Sequence, residues 1–314
     1  MIQIRKYTDE DAAIWNAFNR SAKNYLFMFD RNYMDYHRDR FQDFSLLFFY
    51  KEKLAALFPA SQHGNTLISH GGLTYGGFIT DSNMKQHIMN DFVPALCDYC
   101  RNHHIEKIIY KAIPHIYHKQ AAEEDRYALF VNGFRLSAVD VSSYLNLRNS
   151  LKMPKGRKAQ IKRAAREGVQ VQQTDTAEAY EQYIALVNCV LEARHGVHAV
   201  HTAQELKLLH EKFPENIHLF LASFQGTVIA GAVVYEYDTC IHIQYMAADD
   251  TARKIGALDS VVCHIANLYS HKKDWLDFGI STEHGNDVFN EGLARQKESF
   301  GGRTGVYEIW EKNL

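Results

Sequence analysis

The sequence predicts a mixed α/β fold, with sheets of mixed strand direction and two domains in tandem, and three observations predict it. Strand and helix patterns alternate through the whole chain, and the same order of elements recurs in both halves. Between the halves, Leu147-Arg148-Asn149-Ser150-Leu151-Lys152-Met153-Pro154-Lys155-Gly156 loses apolar periodicity and carries a proline and a glycine. The first domain is expected at 1–150 and the second at 151–314. A length of 314 residues, 46% hydrophobic and 23% charged, suffices for two medium-sized cores.

In the first half, Ile2 to Arg5 reads as a strand, Glu10 to Arg20 and Asn32 to Arg38 as helices, and Phe44 to Tyr50 with Leu54 to Ala60 as a hairpin turning at Lys51-Glu52-Lys53. A glycine-rich passage follows, then a helix from about Asn83 to His103 and a buried strand from Lys107 to Ala112. A helix around Tyr117 to Asn132 is stopped by Gly133, and Arg135 to Tyr144 forms the next strand.

In the second half, Arg157 to Glu167 is a helix ended by Gly168, Val169 to Gln173 a strand, and Ala177 to Arg194 and Ala203 to Phe213 helices. Ile217 to Phe224 and Val228 to Tyr237 pair across Gln225-Gly226-Thr227, followed by the strand Thr239 to Ala247, the helix Ala257 to His271 and the strand Trp275 to Gly279. The loop Asp250-Thr251-Ala252-Arg253-Lys254-Ile255-Gly256-Ala257 opens that last helix, and free backbone N–H groups at a helix start bind phosphate. Two strands splaying beside it would admit an ester or thioester. The turn at Glu52 precedes Ile108 by about the separation of Gly226 from Leu276, which argues for duplication of fold, although direct identity between the halves is not evident. Gly305-Val306-Tyr307-Glu308-Ile309-Trp310 is strand-like and fits either sheet.

A formal charge of −2 gives no global field to attract nucleic acid or an anionic membrane. The segregated charge of Lys152, Lys155, Arg157, Lys158, Lys162, Arg163 and Arg166 is the exception. It suits CoA or nucleotide phosphates, the backbone of an aminoacyl-tRNA, or simply a solvated face. The charged N-terminus is no secretory segment, and no apolar run approaches the ~18 residues that span a bilayer, so a cytoplasmic protein without membrane insertion is expected. Five cysteines within helical or strand patterns read as reduced thiols. Cys97, Cys100 and either His103 or His104 could share a helical face, and His195, His198 and His201 recur at threes. The first set lacks a fourth ligand and the second sits in a loop pattern, so no metal is expected.

Three passages carry a family resemblance: the basic helix Lys155-Gly156-Arg157-Lys158-Ala159-Gln160-Ile161-Lys162-Arg163-Ala164-Ala165-Arg166-Glu167-Gly168-Val169, the strand end Leu276-Asp277-Phe278-Gly279, and Gln296-Lys297-Glu298-Ser299-Phe300-Gly301-Gly302. The chain resembles the tandem-GNAT transferases of the Fem type and their acyl-CoA-dependent relatives over most of its length. That family ends its second domain with aromatic-Lys-x-x-Phe-Gly, and here Gln296 replaces the aromatic. The resemblance implies two GNAT-like domains and transfer of an acyl or aminoacyl group to an amine acceptor, such as an amino sugar or cell-envelope precursor. Acyl-CoA is the expected donor. An aminoacyl-tRNA-dependent ligase and a non-catalytic binding protein on the same scaffold are the alternatives.

Arg253-x-x-Gly256-x-Leu258 is close to the GNAT phosphate loop, with Leu258 where Gly or Ala is usual. Arg253, Lys254, Gly256 and Ala257 are therefore the expected cofactor contacts. The resemblance places Lys297 to stabilise the oxyanion formed when an amine attacks a carbonyl, worth ~3 kcal/mol for a positioned donor. Glu283 and His284, just beyond the strand Trp275 to Gly279, are the expected acid–base groups. Ser69-His70-Gly71-Gly72-Leu73-Thr74-Tyr75-Gly76-Gly77 matches no Walker or Rossmann spacing and reads as a wall of an acceptor cleft. Substrate contacts are accordingly expected at His70, Gly72 and Tyr75, at His37 and Arg40, and at Tyr245 on the lone strand.

Overall fold

The computed structural model describes residues 2–149, 151–283 and 288–314, with side chains for all of these except 194 and 195. The chain divides into two compact units. Unit 1 holds Met1–Val141, Thr282–Val288 and Val306–Leu314; unit 2 holds Ser142–Ser281 and Phe289–Gly305. The switch falls inside a long strand, upstream of the aperiodic stretch at 147–156, because an exposed connection need not coincide with a change of core.

Unit 1 begins with β1 (Ile2–Lys6), α1 (Ala12–Ser21), α2 (Arg31–Met34) and β2 (Gln42–Asp43). The hairpin β3 (Leu46–Tyr50) and β4 (Lys53–Phe58) turns on Lys51 and Glu52, both left-handed. Then come β5 (Ser61–His63), β6 (Thr66–Ile68), β7 (Ile79–Thr80), α3 (Gln86–Asn102), β8 (Lys107–Lys111), α4 (Glu124–Val131) and the first part of β9 (Arg135–Asn146). Strands order as β1-β3-β4-β7 in one sheet; in the other, β6 lies parallel to β8 and β5 antiparallel to β6. Phe48, Phe58, Phe78, Phe92 and Tyr110 centre the core between α3 and these strands.

Two expected helices are shorter. Tyr117 to Asn132 is a single turn at His115–Tyr117 followed by α4, because Lys119 N–H donates to Lys23 O at 2.8 Å and pulls the backbone out of helical register. Asn32 to Arg38 is α2 followed by a 3₁₀ turn at Asp35–His37.

Unit 2 contains α5 (Lys155–Glu167), β10 (Gln170–Thr174), α6 (Ala177–His195), α7 (Ala203–Lys212), β11 (Ile217–Phe224), β12 (Thr227–Glu236), β13 (Cys240–Ala248), α8 (Asp250–Ile255), α9 (Ala257–Tyr269) and β14 (Trp275–Ile280). The short strands β15 (Thr282–Glu283) and β16 (Val288–Phe289) follow, then α10 (Glu291–Glu298) and β17 (Arg303–Asn313). Within unit 2 the strands order as β10-β11-β12-β13-β14 followed by the last residues of β9. Its antiparallel ladder turns parallel only at β13–β14, where α9 makes the crossover. Val261, Val262 and Ile265 of α9 pack on Phe220, Ala232 and Ile241. The terminal strand β17 belongs mostly to unit 1. It pairs antiparallel with β8, and Trp310 and Leu314 pack on the first core.

Asp125 of α4 is half-buried and accepts the Tyr110 hydroxyl, which in turn accepts Phe78 N–H at 2.9 Å. Burial raises its pKa to about 6 despite that hydrogen bond. The folded state therefore holds this proton more tightly than the unfolded state, and stability falls as pH rises from the ordinary carboxylate range through 6. Asp125→Asn removes the charge and keeps one acceptor oxygen for the Tyr110 hydroxyl, at the expense of the 2.8 Å bond that Oδ1 accepts from Arg126 N–H. Denaturant unfolding is expected to show the variant more stable than wild type at pH 7, by at most about 3 kcal/mol, with the gap closing below about pH 4.

Candidate active site

β13 and β14 pair through only three positions, Cys240↔Trp275, Ile241↔Leu276 and His242↔Asp277, and then part. On its other side β13 carries a bulge against β12: Ile243 opposes Val234 and Tyr245 opposes Val233, which puts Gln244 out of register. Beyond His242 and Asp277 the two strands are no longer paired.

Asp277 has no solvent exposure, and each of its oxygens is occupied. Oδ1 accepts Ser142 Oγ at 2.6 Å and Gly279 N at 2.8 Å; Oδ2 lies 3.2 Å from His242 Nδ1. Gly279 is left-handed, and a Cβ there would stand 3.6 Å from His242 Cε1. The imidazole edge thus faces backbone.

Lys297 of α10 is 3% exposed and no surface lysine. Its ammonium donates to Gly279 O at 2.8 Å, Ile280 O at 2.6 Å and Ser281 Oγ at 2.9 Å, so it clamps the exit of β14. Burial lowers its pKa to about 8, opposed by the Asp277 charge. All three donors are engaged. Direct donation to an oxyanion, expected from the sequence, would require surrendering one of these bonds. The motif's other members pack alongside: Phe300 stacks on Phe278 at 5.7 Å, and Arg157 lies 4.2 Å over the Phe300 ring while bonding Asp259 and Ser299.

The loop expected at Asp250 to Ala257 is the helix α8, capped by Asp249, whose side chain accepts Ala252 N at 2.7 Å. Gly256 ends it in the left-handed region, and a Cβ there would meet Gln160 O of α5 at 2.6 Å. Ala257 has no exposure, Leu258 and Asp259 are buried, and the Asp259 carboxylate is paired with Arg157. Arg253 is bound to Asp250 and to Ala248 O, while Lys254 is exposed. Gly256 and Ala257, where the phosphate contacts were expected, are both buried, with Gly256 packed against the backbone of α5.

Tyr245 sits just past the bulge, its hydroxyl 2.6 Å from His201 Nδ1. Glu283 lies half-buried in β15, in a segment counted with unit 1; His284 lies outside the described residues. Among the described residues no group of three or more His, Cys, Asp or Glu could hold a metal, and Cys97 and Cys100 are core residues.

In unit 1 the glycine-rich passage is packed by the protein's own rings. A Cβ on Gly72 would strike the Phe41 ring at 2.5 Å and His37 Nε2 at 2.8 Å. His37 and His70 are buried with ring centres 5.8 Å apart, and burial drives the His70 pKa down to about 3. Arg40 is exposed. Tyr75 is 1% exposed between Tyr117 and Tyr307, a core ring of unit 1 rather than the open cleft wall expected.

His242 and Asp277 were not singled out by sequence. The available signal was a lone carboxylate inside Trp275-Leu276-Asp277-Phe278, since a buried strand tolerates a charge only with partners.

A bulged strand that parts from its parallel neighbour, on a sheet crossed by α9, is the architecture of an acyltransferase. Residues 155–289 match the family described as acetyltransferase (GNAT) domain. The chain as a whole is similar in fold to FemX, with TM-score 0.68 at 11% identity over 99% of this chain and 97% of that one. It is likewise similar to the C-terminal domain (DUF2156) of a putative lysylphosphatidylglycerol synthetase from Agrobacterium fabrum, with TM-score 0.63 and 12% identity over 97% and 92%. A tandem GNAT protein from the clavulanic acid biosynthesis pathway aligns with TM-score 0.53 and 8% identity over 100% and 98%. No curated protein matches the sequence. No helix among the described residues is long and apolar enough to cross a membrane.

Replacing Lys297 by Met leaves Gly279 O, Ile280 O and Ser281 Oγ without their donor, and thermal unfolding at neutral pH is expected to show a loss of about 2–3 kcal/mol. An exposed lysine would cost under about 0.5 kcal/mol. Because the folded pKa is depressed, wild type gains stability as pH rises from about 8 toward the unfolded value, and the difference from Lys297→Met should widen across that window.

Proposed function

We propose that the protein transfers an activated acyl group to an amine, with the reacting carbonyl seated between β13 and β14 beyond their last paired residues. The observation that carries this reading is that two adjacent parallel strands stop pairing after three positions, beside a bulge. A carbonyl lying between them meets the backbone N–H of Gln244, which we assign as the oxyanion donor. Lys297 contributes by holding the other lip in place through Gly279 and Ile280.

For the donor, the buried start of α9 speaks against a CoA pyrophosphate seated on its amides. The exposed side chains of Lys155, Lys158, Lys162, Arg163 and Arg166 on α5 speak for a larger polyanionic carrier, an aminoacyl-tRNA. The name of one similar structure, a putative lysylphosphatidylglycerol synthetase, agrees with an aminoacyl donor. Acyl-CoA is the second reading, supported by the acetyltransferase family match, and it requires the pyrophosphate to be met elsewhere, with Lys254 the nearest exposed cation on α8.

A melting screen with acetyl-CoA, CoA, alanyl-tRNA and uncharged tRNA separates the two. Saturation at a hundredfold excess over Kd stabilises by about 2.7 kcal/mol. The expected result is a shift with tRNA, and a double Lys158→Glu, Lys162→Glu variant should bind more weakly and with a salt slope shallower by about 2. A shift with acetyl-CoA alone would establish the second reading.

A further inference from the structure

We infer that the cavity lined by Tyr7, Asp35 and Asp43 in unit 1 is a binding site for a small organic ammonium ion, a reading that goes beyond acyl transfer and does not depend on it. The cavity holds about 320 Å³ and is built wholly from residues 7–43.

Arg31 lines it, 4% exposed, with its guanidinium 3.8 Å from the centre of the Tyr7 ring. Its Nε donates to Asp35 Oδ2 at 3.3 Å, its Nη2 to Asp35 Oδ1 and, at 2.6 Å, to Asp43 Oδ2, and its Nη1 to Ser45 Oγ at 3.4 Å. One guanidinium thus answers two carboxylates. Asp43 Oδ1 accepts Ser45 N–H at 2.6 Å, so each carboxylate takes two bonds and keeps lone pairs for others. At the rim Arg38 and Asp9 lie 3.5 Å apart and cancel. The formal charge around the cavity is therefore −1, from Asp9, Asp35 and Asp43 against Arg31 and Arg38.

A second feature points to a ligand. Tyr7 is 8% exposed and lines the cavity, and its hydroxyl has no hydrogen-bond partner among the described residues. Burial raises its pKa against the pull of Arg31, so the group stays a neutral hydroxyl whose oxygen can accept.

An ammonium group carries three donors and no acceptor, and the cavity supplies the converse: lone pairs on Asp35, Asp43 and Tyr7, with one negative charge in excess. A phosphate or carboxylate would face both carboxylates with Arg31 already paired. A bare metal ion is no better served, since among the described residues no group of three or more His, Cys, Asp or Glu could hold one. The half-buried Phe41 ring also lines the cavity and offers an aromatic face to a cation and its hydrocarbon body.

The test is an NMR titration of the full chain, with tyrosine labelled with 13C at Cζ and with n-propylammonium, n-propanol and inorganic phosphate as probes. Tyr7→Phe assigns the Tyr7 signal by its disappearance. The expected result is a saturable shift of that signal by n-propylammonium with Kd on the order of 1 mM, and binding of n-propanol weaker by at least about tenfold. Followed through backbone amides of residues 7–43, Tyr7→Phe should weaken n-propylammonium by about tenfold. Replacing Asp35 or Asp43 would also disturb Arg31, so the charge is tested at exposed Gln42 on the cavity lining. Gln42→Lys should weaken the ammonium about tenfold at low salt and less at high salt. No shift up to about 0.1 M n-propylammonium, equal binding of n-propanol, affinity indifferent to both variants, or tighter binding of phosphate would each overturn the assignment. Transfer activity is measured separately, so any of these outcomes leaves the acyl-transfer reading where it stands.

Discussion

Asp277 is a carboxylate with no solvent exposure, and burying it is tolerable only because Ser142, Gly279 and His242 satisfy its oxygens. Those three partners come from β9, the turn of β14 itself, and β13. The charge therefore ties three strands at one level of the sheet. Just beyond that level β14 passes through left-handed Gly279 and stops pairing with β13, and Lys297 holds the backbone there by its carbonyls. A strand gap of this kind would ordinarily be an edge exposing unpaired N–H and C=O groups. Here it persists because a buried anion fixes where it begins and a buried cation fixes one of its lips.

The same unit shows a second use of the glycine in the phosphate-loop pattern. Gly256 is indispensable, but for helix packing: its left-handed turn joins α8 to α9, and its bare Cα lets the backbone of α5 approach where a Cβ would collide. Ala257 behind it is buried, and Asp259 of α9 pairs with Arg157 of α5. Backbone donors bind an anion only where solvent and ligand can reach them. Charge suited to a polyanion survives instead on the exposed face of α5.

Unit 1 makes a parallel point. The dense glycines after Ser69 read as room for a ligand, yet Phe41 and His37 fill the space beside Gly72, and Tyr75 is core. Close approach is real there, and the approaching groups are the protein's own rings.

Local chemistry was legible from the chain alone. The strand Ile217–Phe224, the turns at Lys51-Glu52 and Gln225-Gly226, and the glycines that end α4 and α5 all follow from short-range periodicity and from backbone conformations that few residues adopt. The mixed α/β class and the repeated element order follow from the same signals. Tertiary structure alone decided three matters: β17 returns to pair with β8, Lys297 points inward, and His242 meets Asp277 across 35 residues of sequence. Each depends on strand pairing and burial between distant segments, and alternation along a single strand records which face a residue takes but not which strand will lie beside it.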